Sequence, residues 1–264
     1  MLASMRIAHL ADFHLPGAAD KVVNGVKPHA NLLQAAEAVR KQVPAPELIV
    51  LGGDLLDNGE HDSYQAVADA FGQGSVHLAL GNHDSLAGLR KTWPPAKAPD
   101  FPGYYSFDFK GLHVVILNTS VAGKEFGRLD ERQLLWLNED LHQSNLKPVL
   151  IFLHHPPFET GIAWLDKVKL ANAESFWEII PPYAQNILGV FSAHLHLQYT
   201  CTRRGVLAAG CPAVSWQFSG NADAARAALS SEPPGFNLID VHDRKVAVRT
   251  VRFPLPRPVE QAGT

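Results

Sequence analysis

Residues 47–59 read ELIVLGGDLLDNG. The run from Leu48 to Leu51 is short, apolar and unbroken, which suits a strand buried on both faces. Gly52 and Gly53 then permit a close backbone turn, and Asp54 sets a carboxylate where the strand ends. In α/β sheets, functional groups collect beyond the carboxyl ends of the strands. This stretch therefore predicts an α/β fold with chemistry at its strand ends.

The pattern repeats along the chain. Apolar residues 6–11 lead into Asp12-Phe13-His14, and residues 76–80 lead into Gly81-Asn82-His83-Asp84. Residues 149–153 precede His154-His155, while residues 187–191 precede His194-Leu195-His196 after two small residues. Residues 112–118 form a further strand without a cluster. Helices are expected at 29–41, where Leu32, Ala36 and Val39 recur at helical spacing, and at 130–142. In the second, Asp130 can cap, Gln133 occupies the capping-box position, and Leu134, Leu137 and Leu141 make one stripe. Strand–helix alternation predicts parallel pairing through the first half. After His194 two hairpins are expected, 197–202 with 206–211 and 237–241 with 246–251, paired antiparallel on a second sheet. The resulting expectation is α/β (α+β), with two sheets face to face and helices outside. Residues 222–234 are expected to form a short helix and loop. Residues 1–252 form one domain, and residues 253–264, with Pro254, Pro256 and Pro258, form a tail.

Composition narrows the function. The chain has 264 residues and a formal net charge of −3, with Lys and Arg dispersed, which argues against a general nucleic-acid-binding surface. No apolar stretch approaches the length of a membrane span. No signal peptide is expected, since the apolar run at the start leads straight into the first motif, and residues 1–4 read as a cloning remnant or an upstream start. Cys201 and Cys211 fall in the first hairpin, with Cys201 expected near Leu207 and Cys211 near Leu197, so no bridge is expected. Free thiols fit a reducing cytoplasm.

Asp12 and His14 are separated by one residue, as are His194 and His196, so in extended segments each pair points one way. Two such pairs facing one crevice give a carboxylate and imidazole set suited to Mn, Fe, Co, Ni or Zn. Charge agrees: two divalent ions bring about +4, Asp12, Asp54 and a hydroxide remove about three, and roughly one positive charge remains for a phosphate.

The ordered set D-x-H, G-D, G-N-H-D, H, H-x-H resembles the calcineurin-like metallophosphoesterase superfamily. The strings at residues 53–59 and His154-His155-Pro156-Pro157 are similar to its bacterial class III cyclic-nucleotide and glycerophosphodiester phosphodiesterases. The resemblance covers residues 6–251 and implies a four-layer αββα sandwich with two mixed sheets. It implies a first metal ion on Asp12, His14 and His196, and a second on Asn82, His154 and His194, with Asp54 bridging. His83 would face the phosphoryl oxygens or the leaving group without binding metal. The implied cofactors are two transition-metal ions (Mn, Fe, Zn or Co), and the implied mechanism is in-line displacement by a hydroxide held between them. Two positions depart from the family pattern: Ala193 stands where Gly is usual and Ala11 where Ser is usual. A homodimer or larger homo-oligomer is also compatible with the resemblance.

Other residues carry plainer readings. His155 reads as a packing neighbour of the site, and His9, His61, His77, His113, His142 and His242 as ordinary. His29 lies near where substrate loops could fall. Asp57 either shapes its loop or meets a ligand, and Asp84 either orients His83 or begins a helix near 85–91. Phe13 reads as packing, Trp136 and Trp177 as core, and residues 161–166 with Trp164 as a substrate-side or a plain surface loop. The expected function is hydrolysis of a small soluble phosphodiester, a cyclic nucleotide or a glycerophosphodiester. Phosphomonoesterase or phosphonate-ester hydrolase activity on the same site is the alternative, and a non-catalytic scaffold of this fold is the alternative of another class. A purple acid phosphatase would carry Tyr at position 57. The Arg motif of protein Ser/Thr phosphatases is absent, and no lipid-docking surface is evident.

Overall fold

The computed structural model describes residues 4–58, 63–72, 76–93, 101–221 and 226–254. His61, Gly59, residues 1–3, 222–225 and residues 255–264 of the tail lie outside them.

Three strands and three helices come first: β1 (Met5–Leu10), α1 (Pro28–Arg40), β2 (Leu48–Leu51), α2 (Ser63–Phe71), β3 (Val76–Leu78) and α3 (Leu86–Thr92). β1, β2 and β3 pair in parallel. Next come β4 (Tyr105–Phe109), β5 (Leu112–Ile116), α4 (Glu131–Gln143), β6 (Val149–Phe152), α5 (Ala173–Ile179) and β7 (Ile187–Ser192). β5, β6 and β7 are again parallel. The remaining strands are β8 (Tyr199–Arg203), β9 (Val206–Gly210), β10 (Gln217–Phe218), β11 (Leu229–Ser230), β12 (Gly235–His242) and β13 (Lys245–Arg252). One sheet runs β13-β12-β1-β2-β3, the other β4-β5-β6-β7-β9-β8, and β10 pairs with β11 alone.

Alternation along the strands builds the layers. Met5 and Ile7 of β1 and Leu112, Val114 and Ile116 of β5 share one buried cluster that contains no helix residue. Ala8 and Leu10 turn the other way, against Leu32, Val39 and Val67 of α1 and α2. Val115 and Ile151 face Leu137, Phe176 and Trp177 of α4 and α5. The result is helix, sheet, sheet, helix, as expected. Trp177 is buried core, whereas Trp136 is half-buried against Tyr104.

The sheets divide elsewhere than the sequence suggests. The two late hairpins do not share a sheet. β12 inserts beside β1 in the first sheet, with Ile7 opposite Ile239, because its Phe236, Leu238, Ile239 and Val241 are buried on both faces. The β8–β9 pair joins the second sheet through β9, which runs parallel to β7. β9 carries buried Val206, Ala208 and Ala209, while half-exposed β8 takes the edge. The register slips by one from the expected pairing, with Cys201 opposite Ala208, and both cysteines are free. Residues 226–234 hold strand β11 and loop rather than a helix.

The cap of α4 is half the expected box. Asp130 accepts from Gln133 N at 2.7 Å, but the Gln133 amide turns to Asn118, donating to its carbonyl at 2.7 Å and accepting from its N–H at 2.8 Å. No helix among the described residues is long and apolar enough to cross a membrane.

Candidate dinuclear metal site

The carboxyl ends of β1, β2, β6 and β7 meet at one edge of the sandwich, and the loops that follow them converge. Asp12, His14, Asp54, His154 and His196 are all buried there. The Asp12–His14 and His194–His196 pairs do not arrive on extended backbone as expected. Asp12 (φ 57°), His14 (φ 48°), Asp54 (φ 50°), His194 (φ 71°) and His196 (φ 47°) are left-handed. Non-glycine residues rarely adopt this region, and it clusters at functional sites where the surroundings enforce it. The enforcement is visible: Phe13 N and His14 N both donate to Asp54 O, and Ser215 N and Oγ both donate to Asp12 O.

Donor atoms of Asp12, His14 and His196 lie within 4.8 Å of one another, as do those of Asp12, Asp54 and His154. His196 Nδ1 lies 2.8 Å from Trp216 O, and His154 Nδ1 lies 2.8 Å from Gly52 O. A carbonyl only accepts, so each Nδ1 carries a hydrogen and each ring turns its Nε2 inward. There His196 Nε2 is 2.9 Å from His14 Nε2, and His154 Nε2 is 3.2 Å from both Asp54 Oδ2 and His194 Nδ1. Imidazole nitrogens and carboxylates gathered this closely fit cations held between them. Asn82 Oδ1 and His194 Nε2 are buried without a hydrogen-bond partner among the described residues, which fits the same reading.

The electrostatics agree. Burial acts against charge on His154, but Asp54 and Asp12 outweigh it and raise its pKa to about 9. Burial also opposes the Asp54 carboxylate, yet His154 and His14 hold it well below the ordinary range. Asp12 is pushed up by burial. Burial, then His154, lowers His194 to about 3, and burial lowers His196 to about 4. The site thus pulls a proton onto His154, and a metal ion taking that nitrogen would displace it.

The profile of the Metallophos family, calcineurin-like phosphoesterases, matches residues 5–198. The chain belongs to this family. As a calcineurin-like phosphoesterase it is a metal-dependent phosphoric-ester hydrolase. It is 28% identical to a 3′,5′-cyclic-nucleotide phosphodiesterase of Nostoc sp., over 98% of this chain and 96% of that one. It is 28% identical to a probable glycerophosphodiester phosphodiesterase of Arcobacter nitrofigilis, over 89% of this chain and 88% of that one. A dimetal phosphatase of Danio rerio shares the fold at a TM-score of 0.67 and 16% identity, covering 94% of this chain and 98% of that one.

The glycines of this phosphoesterase explain how its loops close. A Cβ on Gly81 would sit 2.0 Å from Asp54 Oδ1, and Gly53 has a φ of 98°. The side chain of His83 is set by Asp57, not Asp84: His83 Nδ1 lies 2.9 Å from Asp57 O. Asp84 neither orients His83 nor caps α3, a role Ser85 fills by accepting from Gly88 N. Instead Asp84 fastens two loops together. Its Oδ1 accepts from Leu55 N, Leu56 N and Tyr64 OH, and its Oδ2 from Gly81 N at 3.0 Å. Tyr64 was not foreseen, because it lies on α2, which no periodicity announced.

His155 groups with His154 and His194, ligand atoms within 4.8 Å of one another, but its own hydrogen bonds favour a neighbour's role. It donates from Nε2 to Glu125 O at 3.1 Å and accepts at Nδ1 from Thr119 Oγ1 at 2.7 Å, so both nitrogens are committed. Phe13 packs in the core. His29 is turned to Pro16 O and stays outside the pocket. Ala11, Ala193 and Cys211 pack together, so the two departures from the family pattern form a small apolar patch. His9 is less ordinary than it reads: it is fully buried against Phe152, and burial lowers its pKa to about 3.

Proposed function

We propose that this phosphoesterase hydrolyses small phosphodiesters, a cyclic nucleotide or a glycerophosphodiester. One observation carries the reading. The residues assigned to metal open onto a pocket of about 450 Å³ whose described lining includes His14, Asp54, Asn82, His83, His194 and His196 but no Lys or Arg. A singly charged diester needs no cation beyond the metal ions, whereas a dianionic monoester or a polyphosphate would gain from one. The names of the Nostoc and Arcobacter relatives support the same class.

In this reading Asp12, His14 and His196 would hold one ion and Asn82, His154 and His194 the other, with Asp54 placed to serve both. The mixed nitrogen and oxygen donors suit Mn, Fe, Zn or Co. Two such ions, when bound, polarise the phosphoryl oxygen and lower the pKa of a water that attacks it. His83 lines the pocket with its Nδ1–H committed to Asp57 O, so Nε2 is the atom that faces reaction. When doubly protonated, His83 can pass the Nε2 proton to the departing oxygen. The two free thiols fit a reducing compartment, and the reading is cytoplasmic.

Metal analysis together with turnover of bis-p-nitrophenyl phosphate and p-nitrophenyl phosphate tests this. Two ions per chain and faster cleavage of the diester are expected. A metal-free, inactive protein would make it a scaffold, and faster monoester cleavage would overturn the diester assignment.

A further inference from the structure

We propose that a strip of aromatic rings ending on Trp164 seats a flat ring of the substrate, so that nucleoside esters are bound in preference to glycerol esters. The proposal rests on the pocket being the hydrolytic site and goes on to name what flanks the phosphate. Ring contacts run unbroken from the metal residues outward. His14 lies tilted against Trp216 with centroids 4.8 Å apart, and Trp216 against His196 at 5.1 Å. His196 meets Phe218 at 4.9 Å, and Phe218 meets Trp164 edge-on at 5.2 Å and 87°. Trp164, Trp216 and Phe218 all line the pocket.

Two distant segments build this strip. Trp216 just precedes β10 and Phe218 ends it, and both turn to the pocket, while Gln217 between them is buried and bonded to Ala213. Trp164 comes from the loop after β6, and that loop is pinned. Asp166 accepts from Thr160 N at 2.7 Å, Thr160 Oγ1 at 2.9 Å and Gly161 N at 3.1 Å, and Ile162 and Leu165 are buried on either side. The indole is therefore held half-buried before any ligand arrives, which lowers the ordering cost of binding.

The rest of the lining fits a flat, uncharged group. Val23, Leu165, Val168 and Ala227 are apolar, and the carboxylates of the lining are those of Asp54, Asp57 and Glu125. A purine or pyrimidine offers a π-face to such a wall and carries no charge, whereas glycerol would leave the rings uncovered.

The test compares two ligands that carry the same phosphate group, 5′-AMP and glycerol 3-phosphate, by calorimetric titration of the manganese-loaded protein. The wild type is expected to bind 5′-AMP about tenfold more tightly, the scale of one base stacked on one aromatic side chain. Trp164→Leu keeps apolar bulk without a π-face and should close the gap to within about twofold, while Trp164→Phe should keep most of it. Equal affinities in the wild type, or a gap that survives Trp164→Leu, would overturn the proposal. A gap that behaves as expected in a protein that cleaves no diester would keep the ring seat and remove the phosphodiesterase reading alone.

Discussion

The backbone N–H of His83 donates to Asp54 Oδ1 at 2.9 Å, while Asp54 Oδ2 stands 3.2 Å from His154 Nε2. One carboxylate therefore has one oxygen steered by the loop that carries Asn82 and the other directed at the imidazoles. His14 Nε2 is 3.7 Å from the same Oδ2. Asp54 Oδ2 thus lies near an imidazole of each proposed ligand set, as does Asp12 Oδ1, 3.8 Å from His196 Nε2 and 4.0 Å from His154 Nε2.

Removing Asp54 should therefore cost more than removing any residue behind it. Asp54→Ala is expected to bind clearly less metal and lose nearly all diesterase activity. The fall should exceed the roughly 10–100-fold typical when an outer partner of a metal ligand is lost. Metal content by elemental analysis, with kcat/KM on bis-p-nitrophenyl phosphate, checks it. Retention of both ions and of activity would sink the dinuclear assignment.

Gly81→Ala tests the same carboxylate without changing any assigned ligand. The new Cβ would lie 2.0 Å from Asp54 Oδ1 and 2.3 Å from Asp54 N, so Asp54 must move. Overpacking of this kind costs about 1–3 kcal/mol, and here the displaced group is a proposed ligand. Metal affinity should fall along with the urea midpoint. A variant with lowered stability but wild-type metal titration would show that Asp54 tolerates the shift.

What the sequence made legible, and what it hid, separates along local and long-range lines. Asp12, Asp54, Asn82 and His154 were readable because short apolar runs end just before them. The layer order followed from the same runs. The sheet assignment of β12 was hidden, since its place beside β1 is decided by a pairing across most of the chain, Met5 with Val241 to His9 with Asn237. The left-handed backbone at Asp12, His14, Asp54, His194 and His196 was hidden too. Only neighbours such as Ser215 hold it, and they are distant in sequence. Trp216 and Phe218 gave no motif at all; their contacts with His14 and His196 emerge only in the folded chain.

A pH test lies well away from the proposed metal site. His113, at the start of β5, has Nδ1 2.8 Å from Asp108 Oδ1 and Nε2 2.8 Å from Asp140 Oδ2. Burial works against its charge, but the two carboxylates prevail and raise its pKa above the ordinary 6.5. The folded state then holds this proton more tightly than the unfolded chain. The stabilisation is complete below the unfolded value and is lost as pH rises through the higher folded one. His113→Gln should lower the urea midpoint at pH 6 by more than at pH 9. An equal loss at both would mean that the ring matters only for packing and neutral hydrogen bonds.

His83 can be tested through the leaving group. Its Nδ1 is tied to Asp57 O, and its contact with Asp54 is made by the backbone N–H, so His83→Ala leaves that hydrogen bond in place. General acid help of this kind is worth about 10²–10⁴-fold when the departing oxygen is basic. An alkoxide such as a ribose or glycerol oxygen needs the proton, while p-nitrophenolate leaves without it. His83→Ala should therefore lose about 10²-fold or more in kcat on a cyclic nucleotide or glycerophosphodiester, and much less on bis-p-nitrophenyl phosphate, with metal content unchanged. Equal losses on both kinds of ester would instead assign the side chain to holding the phosphoryl oxygens, whose charge develops whichever group departs.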